Sequence, residues 1–353
     1  MSSPIHVFDL PHHEARDLLR RTRAPVFLAV NPVEFHGPHL SLHNDRWITA
    51  GLSRDLHAAL AAGRDDFPFL VADDLELGVE PASGPGSRRV RFSDAKRAVV
   101  EACRALVELG ARRVVLNTFH GGALHGLALD AGVREIERAG GRAIAPLAIA
   151  LRRLAAGDAR ELDEAVELVD CTSEERAALR ASLPLDFHAG WLETSLALHY
   201  APQTVSPVYR DLPPAPPLGR DRLLGAAGAI ARALGREGLA DELELAARAS
   251  TWTRQRPFVG YTSMPHLASA EAGALIARRF VARYAEAARA TLYEGARAPR
   301  PPFAWMPLAT LGGRIDATFV PTSEVAADPP RPRRAGGAEA SAGSPLAHSG
   351  VKR

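Results

Sequence analysis

Glu34, His36, His39, His43 and Asp45 fall in one short run, Glu-Phe-His-Gly-Pro-His-Leu-Ser-Leu-His-Asn-Asp. Side chains two apart on an extended backbone point the same way, so Glu34 and His36 can serve one centre. A carboxylate and an imidazole on one side, with a second carboxylate nearby, suit Zn²⁺, Mn²⁺ or Fe²⁺. The same residues also have plainer uses. Asp45 immediately precedes an expected helix at Arg46 and is a preferred N-cap residue. His39 and His43 can lie on a loop surface. A second cluster is His120-Gly121-Gly122, where glycine permits close backbone approach. A third is Asp186-Phe-His188-Ala-Gly-Trp191-Leu-Glu193-Thr-Ser195, whose Glu193 would also favour a helix dipole without any metal. The run Gly260-Tyr-Thr-Ser-Met-Pro-His266-Leu-Ala-Ser-Ala-Glu271 reads most simply as a loop feeding a capped helix.

Positioning these residues requires strands that end just before them. Pro25-Val-Phe-Leu-Ala-Val30 is an apolar run typical of a buried strand, and Glu34 follows it directly. Further strands are expected at 67–72, 113–119 and 142–149, with His120 directly after the one at 113–119. Helical spacing covers 46–62, 93–109 and 123–139, with Gly110 as a stop. Residues 78–92 are a Gly/Pro/Ser-rich loop. Strands alternating with helices of this length imply a mostly parallel sheet covered on both faces, an α/β/α build. Ligands in such sheets bind beyond the strands' C-terminal ends, where the first two clusters fall. Later segments are expected as helices near 159–182, 191–200, 220–248 and 269–294. Residues 1–322 are expected as one domain, and 323–353, poor in large apolar side chains, as a disordered tail.

Composition narrows the function classes. The 353 residues are 46% hydrophobic and 24% charged, and 43 bases nearly balance 41 acids. No overall field favours nucleic acid or an anionic membrane, and the Arg-containing tail is too short to change that. No apolar stretch is long enough to span a bilayer. Two cysteines, Cys103 and Cys171, make no disulfide framework, which points to a reducing compartment. With no basic segment and apolar run at Met1, a cytoplasmic location is expected.

Taken in order, Glu-x-His-Gly-Pro-His-Leu…Asp, strand-His-Gly-Gly, His-Ala-Gly-x-x-Glu-Thr-Ser and Gly-Tyr…Leu-Ala-Ser-Ala-Glu-x-Gly resemble the creatininase (creatinine amidohydrolase) family. The resemblance spans roughly residues 8–294. It implies an α/β/α fold, a dinuclear metal centre of Zn, Mn or Fe, and hydrolysis of non-peptide C–N bonds. It further implies that Glu34, Asp45 and His120 hold one ion, and His36, Asp45 and Glu193 the other, with Asp45 bridging. His188 would be the proton donor to the leaving nitrogen, and Gly122 and Trp191 would face substrate, Trp191 alternatively packing in the core. A homo-oligomer acting on a small molecule is also implied. Two ions sharing Asp45 would acidify a bridging water, giving hydroxide near neutral pH.

Several positions depart from the family pattern. Asn31-Pro-Val-Glu-Phe-His stands for Gly-Ser-x-Glu-Gln-His, Ala123 for the Asn after His-Gly-Gly, and Gly84-Pro85-Gly86-Ser87 for Phe-Pro-Gly-Thr. Trp191 replaces a frequent Glu, and Gly122 replaces the carboxylate of members that open creatinine. Creatinine is therefore not the expected substrate. Two other readings stay open: a metallopeptidase trimming a modified peptide, and a ligand-binding protein that keeps the fold without turnover.

Overall fold

The computed structural model describes residues 3–315 and 321–325. The chain begins β1 (Ile5–His6), α1 (His12–Arg21), β2 (Val26–Asn31), α2 (Asn44–Ala61), β3 (Leu70–Glu76) and α3 (Phe92–Leu109). It continues through β4 (Arg113–Asn117), α4 (Ala123–Arg138), β5 (Arg142–Ile144) and α5 (Leu147–Ala155). Helices α6 (Asp163–Glu167), α7 (Ser173–Ser182), α8 (Trp191–Tyr200), α9 (Arg222–Ala233), α10 (Glu237–Trp252), α11 (Ala270–Tyr293) and the short α12 (Met306–Ala309) follow.

The five strands pair in the order β1-β3-β2-β4-β5, all parallel. Central β2 sets the register, with Val26 opposite Leu70 on one side and Val114 on the other. Its residues Val26, Phe27, Leu28 and Val30 are buried, as expected for a strand covered on both faces. Helices α1, α3 and α4 pack together against one face, and α2, α8 and α11 against the other. This division follows from right-handed crossovers: β2-α2-β3 steps one way along the sheet, and the later connections step back. The reversal at β2 leaves a crevice beyond the ends of β2 and β4. At the close of α3, Gly110 adopts φ 115°, the left-handed geometry of a helix stop.

The α/β/α expectation agrees with this architecture, and several boundaries differ. The strand expected over 142–149 ends at Ile144, and Leu147 opens α5. The helix expected over 159–182 is broken into a single-turn 3-10 helix at Arg160–Leu162, then α6 and α7. Thr172 and Glu175 form a reciprocal capping box that starts α7 afresh. The expected 220–248 helix divides into α9 and α10 at Gly235, which has φ 70°. β1 and α1 were not anticipated. Of the expected tail, Val325 forms an isolated bridge with Phe258, whose amide donates to the Glu324 carbonyl at 2.9 Å. Residues 326–353 lie outside the described residues. Among the described residues, no helix is long and apolar enough to cross a membrane, and Cys103 and Cys171 are free.

Candidate metal centre

Glu34 and His36 follow the end of β2, His120 follows β4, and Glu193 lies in the first turn of α8. Asp45 comes from the first turn of α2. All five are buried. The N-cap alternative for Asp45 is overturned: α2 begins at Asn44, and no side chain caps it. Asp45 is 1% exposed and points inward instead. Its Oδ1 lies 3.4 Å from His36 Nε2, and its Oδ2 lies 3.8 Å from His120 Nδ1. Each carboxylate oxygen thus faces a different imidazole.

Three donor groups result: Glu34–Asp45–His120 and His36–Asp45–Glu193, which share Asp45, and Glu34–His36–His188. Ligands held about 2.1 Å from a tetrahedral ion lie roughly 3.4 Å apart. His36 Nε2 meets that spacing, 3.4 Å from Asp45 and 3.6 Å from Glu193. In the other triad, His120 Nδ1 sits closer to Glu34, at 2.9 Å. Both imidazoles are oriented from behind. His36 Nδ1 donates to the Glu34 carbonyl at 3.0 Å, and His120 Nε2 donates to the Val79 carbonyl at 2.9 Å. Each ring therefore aims its other nitrogen at the carboxylates, as metal-binding histidines do.

The electrostatics show a cluster that needs positive charge. Burial works against a charged His36, but Asp45, Glu34 and Glu193 outweigh it and raise its pKa to about 10. Burial likewise opposes Glu34 and Asp45 at His120, which still rises to about 9. Burial pushes Glu193 up to about 8 against the pull of His36. It also raises Asp45. Glu34 is the exception: despite burial, His120, His188 and His36 hold it well below the usual carboxylate range. His36 Nε2 and Asp45 Oδ2 are buried without a hydrogen-bond partner, and Glu34 Oε2 has only its ion pair with His120 at 2.9 Å. Orphaned donor atoms of this kind need an explanation, and a divalent cation between them supplies one. The residues present fit such an ion in type, burial and spacing.

The supporting backbone is strained where it meets the cluster. Ala189 adopts φ 47°, and its N–H donates to Glu193 Oε2 at 2.8 Å. Non-glycine residues in this region cost of order 1–3 kcal/mol and persist where surroundings enforce them. Beside it, a Cβ on Gly190 would lie 1.9 Å from Asp186 Oδ1. Asp186 in turn accepts the Leu192 N–H at 2.9 Å, standing in for the cap that glycine cannot give α8.

His188 stacks on His36, ring centroids 4.4 Å apart. Its Nε2 donates to the Phe35 carbonyl at 2.9 Å, leaving Nδ1 3.9 Å from Glu34 Oε1. Burial, reinforced by His36, lowers its pKa to about 3, so the ring is neutral. At neutral pH its Nδ1 then presents a lone pair rather than a proton. Trp191 takes the second of its two expected readings. It is 0% exposed and belongs to the main core, so it offers no wall to a ligand. Gly122 does line the adjoining cavity, and a Cβ there would lie 2.7 Å from His120 Nε2 and 2.8 Å from the Val79 carbonyl.

His39, read as a loop-surface residue, is buried and bonds Thr194 Oγ1 at 2.9 Å. His43 stays partly exposed beside Glu76, at 3.2 Å. Ser269 caps α11 through the Ala272 N–H, as expected of the fourth patch. Two neighbours of the cluster were missed. His125 packs edge-on to His120 with centroids 4.9 Å apart, and Trp252 stands 5.0 Å from His188. In the sequence both look like ordinary residues of amphipathic helices. Glu34, His188 and Glu193 open onto a cavity of about 600 Å³ whose other walls are mostly apolar.

Fold and site together define an α/β protein with a buried cluster of metal-ligand type at the switch point of a parallel sheet. The profile of the creatininase family, described as creatinine amidohydrolase, matches residues 9–288, and the chain belongs to that family. Among solved structures, a manganese creatininase is 20% identical with a TM-score of 0.53, covering 82% of this chain and 98% of that one. A mutant creatininase of Zn-Zn type matches with the same values. A mutant creatininase complexed with creatine is 19% identical, also with a TM-score of 0.53. These likenesses establish the fold. No curated protein matches the sequence.

Proposed function

We propose that this protein is a metal-dependent amidohydrolase that cleaves a C–N bond of an amide other than creatinine. The observation that carries the reading is Asp45, buried between two donor triads with one oxygen toward each. Glu34, Asp45 and His120 would hold one divalent ion, and His36, Asp45 and Glu193 a second. Zinc and manganese fit the oxygen and nitrogen donors, and related folds are known in Mn and Zn-Zn forms. Bound there, such ions supply an acidified water and a Lewis acid for the carbonyl.

The chain's own residues do the rest. His188 Nδ1 carries a free lone pair at the mouth of the cluster, with its ring fixed by the Phe35 carbonyl. It can take a proton from the attacking water and return it to the departing nitrogen. Stacking on His36 and contact with Trp252 keep that ring in place and exclude bulk water. Against creatinine stands Gly122, where no carboxylate is present and any side chain would meet His120 and Val79. Elemental analysis of protein purified without chelator tests the centre: about two divalent ions per chain are expected. Protein that binds no ion even after reconstitution would sink the reading.

A further inference from the structure

The cavity reaches well past the metal cluster, and part of its far wall comes from outside the family match. At about 600 Å³ it has the volume of a site for a drug-sized ligand. Glu34, His188 and Glu193 line it at the polar end. Elsewhere, beside a few charged side chains such as Glu80, Arg89 and Arg254, it is lined by Leu151 of α5, Ala246 of α10, and Phe303, Trp305 and Met306. The last three follow residue 288, where the family match stops.

That final segment is fastened rather than loosely draped. Arg300 pairs with Asp130 at 2.9 Å and Glu137 at 2.8 Å, while Arg152 Nε donates to the Arg300 carbonyl at 2.6 Å. Phe303 is buried at φ 65°, a conformation that bulky residues rarely adopt. Trp305 donates its indole N–H to Glu242 at 3.0 Å, which fixes the ring's orientation. The two rings meet edge to face, centroids 6.3 Å apart.

We propose that residues 300–306, with α5 and α10, form an apolar wall that selects amides carrying a bulky hydrocarbon group, aromatic groups above all. This rests on the hydrolase reading of the same site. The reaction is plain hydrolysis: the oxygen of water joins the carbonyl carbon, the C–N bond breaks, and the nitrogen leaves with the proton. Water is the only co-reactant.

Metal-reconstituted protein should be assayed on two matched pairs: acetamide with phenylacetamide, and N-methylformamide with N-benzylformamide. In at least one pair the benzyl-bearing member should be favoured in kcat/KM by about 10- to 100-fold, the worth of burying such a group. Calorimetry should follow binding of acetohydroxamate and phenylacetohydroxamate, and of the two formamides. Ala246→Phe, which fills the cavity without removing a contact, should erase the preference within each pair. Trp305→Ala should weaken it, with circular dichroism as the folding check. Equal turnover and equal binding within both pairs would overturn the proposal and leave the hydrolase standing. Preferential binding of benzyl-bearing compounds without turnover of any amide would uphold the wall and overturn the hydrolase reading. Absence of both turnover and binding overturns the proposal as well.

Discussion

The two ends of the cavity are built on opposite plans. At the polar end, five buried donors come from short runs placed just after β2 and β4 or in the first turns of α2 and α8. Backbone carbonyls of Glu34, Val79 and Phe35 hold the rings, so little there can move without breaking a bond. At the apolar end, the walls come from α5, α10 and the segment after α11. That segment is pinned from behind by the Arg300 ion pairs and the Trp305–Glu242 hydrogen bond but turns mostly apolar faces to the cavity. Chemistry that depends on angles is placed on a rigid sheet edge, while a surface that only has to exclude water tolerates exchange of side chains.

The largest expected effect is at the shared carboxylate. Asp45→Asn keeps shape and burial but offers one neutral oxygen, so at least one equivalent of metal and the hydrolysis should be lost. The ion-free protein should stay folded but lose part of the stability that the Asp45 charge gives the protonated His36. Retention of both ions by this variant, measured by elemental analysis, would collapse the contrast between the two ends.

Next is a pH dependence confined to the polar end. In ion-free protein His36 and His120 keep their protons up to about 10 and about 9, and Glu193 up to about 8. The folded chain then holds more protons than the unfolded one between pH 7 and 10. The stability supplied by the raised histidines is complete below their unfolded pKa, near 6.5, and is lost as pH rises through 9 and 10. Melting temperature of ion-free protein should fall over that window, whereas metal uptake should strengthen as the donors lose protons. Parallel titrations by calorimetry would show both trends.

Gly122→Ala sits between the ends. Its Cβ would press on His120 and the Val79 carbonyl, and overpacking of this kind costs about 1–3 kcal/mol. Urea denaturation should show that loss, together with weaker metal binding through His120. Smallest of all is Leu308→Ser, on the outer side of the C-terminal segment at 84% exposed. Stability should change by no more than about 0.5 kcal/mol, with metal content unchanged.

The same contrast explains what could be read from residues alone. Glu34, His36 and Asp45 stand out because a strand end delivers side chains in one short run. His120 and Glu193 lie in separate runs far along the chain, and only the family resemblance joins them to the set. Whether a given group carries a proton depends on burial and on neighbours from other elements. For His188 that depends on the Phe35 carbonyl and on His36, which the sequence alone does not place beside it. Trp191 and Trp252 look alike as residues of helices; only packing sends one to the core and the other to the cavity. The run Ala143-Ile-Ala-Pro-Leu-Ala-Ile-Ala-Leu151 is apolar throughout, and periodicity cannot tell strand from helix there. Pro146, sitting at the start of α5, marks the change. The break before α7 was legible in Thr172 and Glu175, whose capping pattern outranks the continuing helical spacing.

The sheet's outermost strands have a consequence for how the protein survives at high concentration. β1 spans only Ile5–His6 and β5 only Arg142–Ile144, each hydrogen-bonded to a single neighbouring strand. A long open edge would offer a row of free amides and carbonyls on which a passing chain could zip up. Here an intruding strand finds two or three residues to pair with before the backbone turns away. The long, apolar strand β2 that presents Glu34 and His36 is kept in the middle, with β3 and β4 occupying both of its edges. The segment most prone to seed aggregation is thereby the one least available for it.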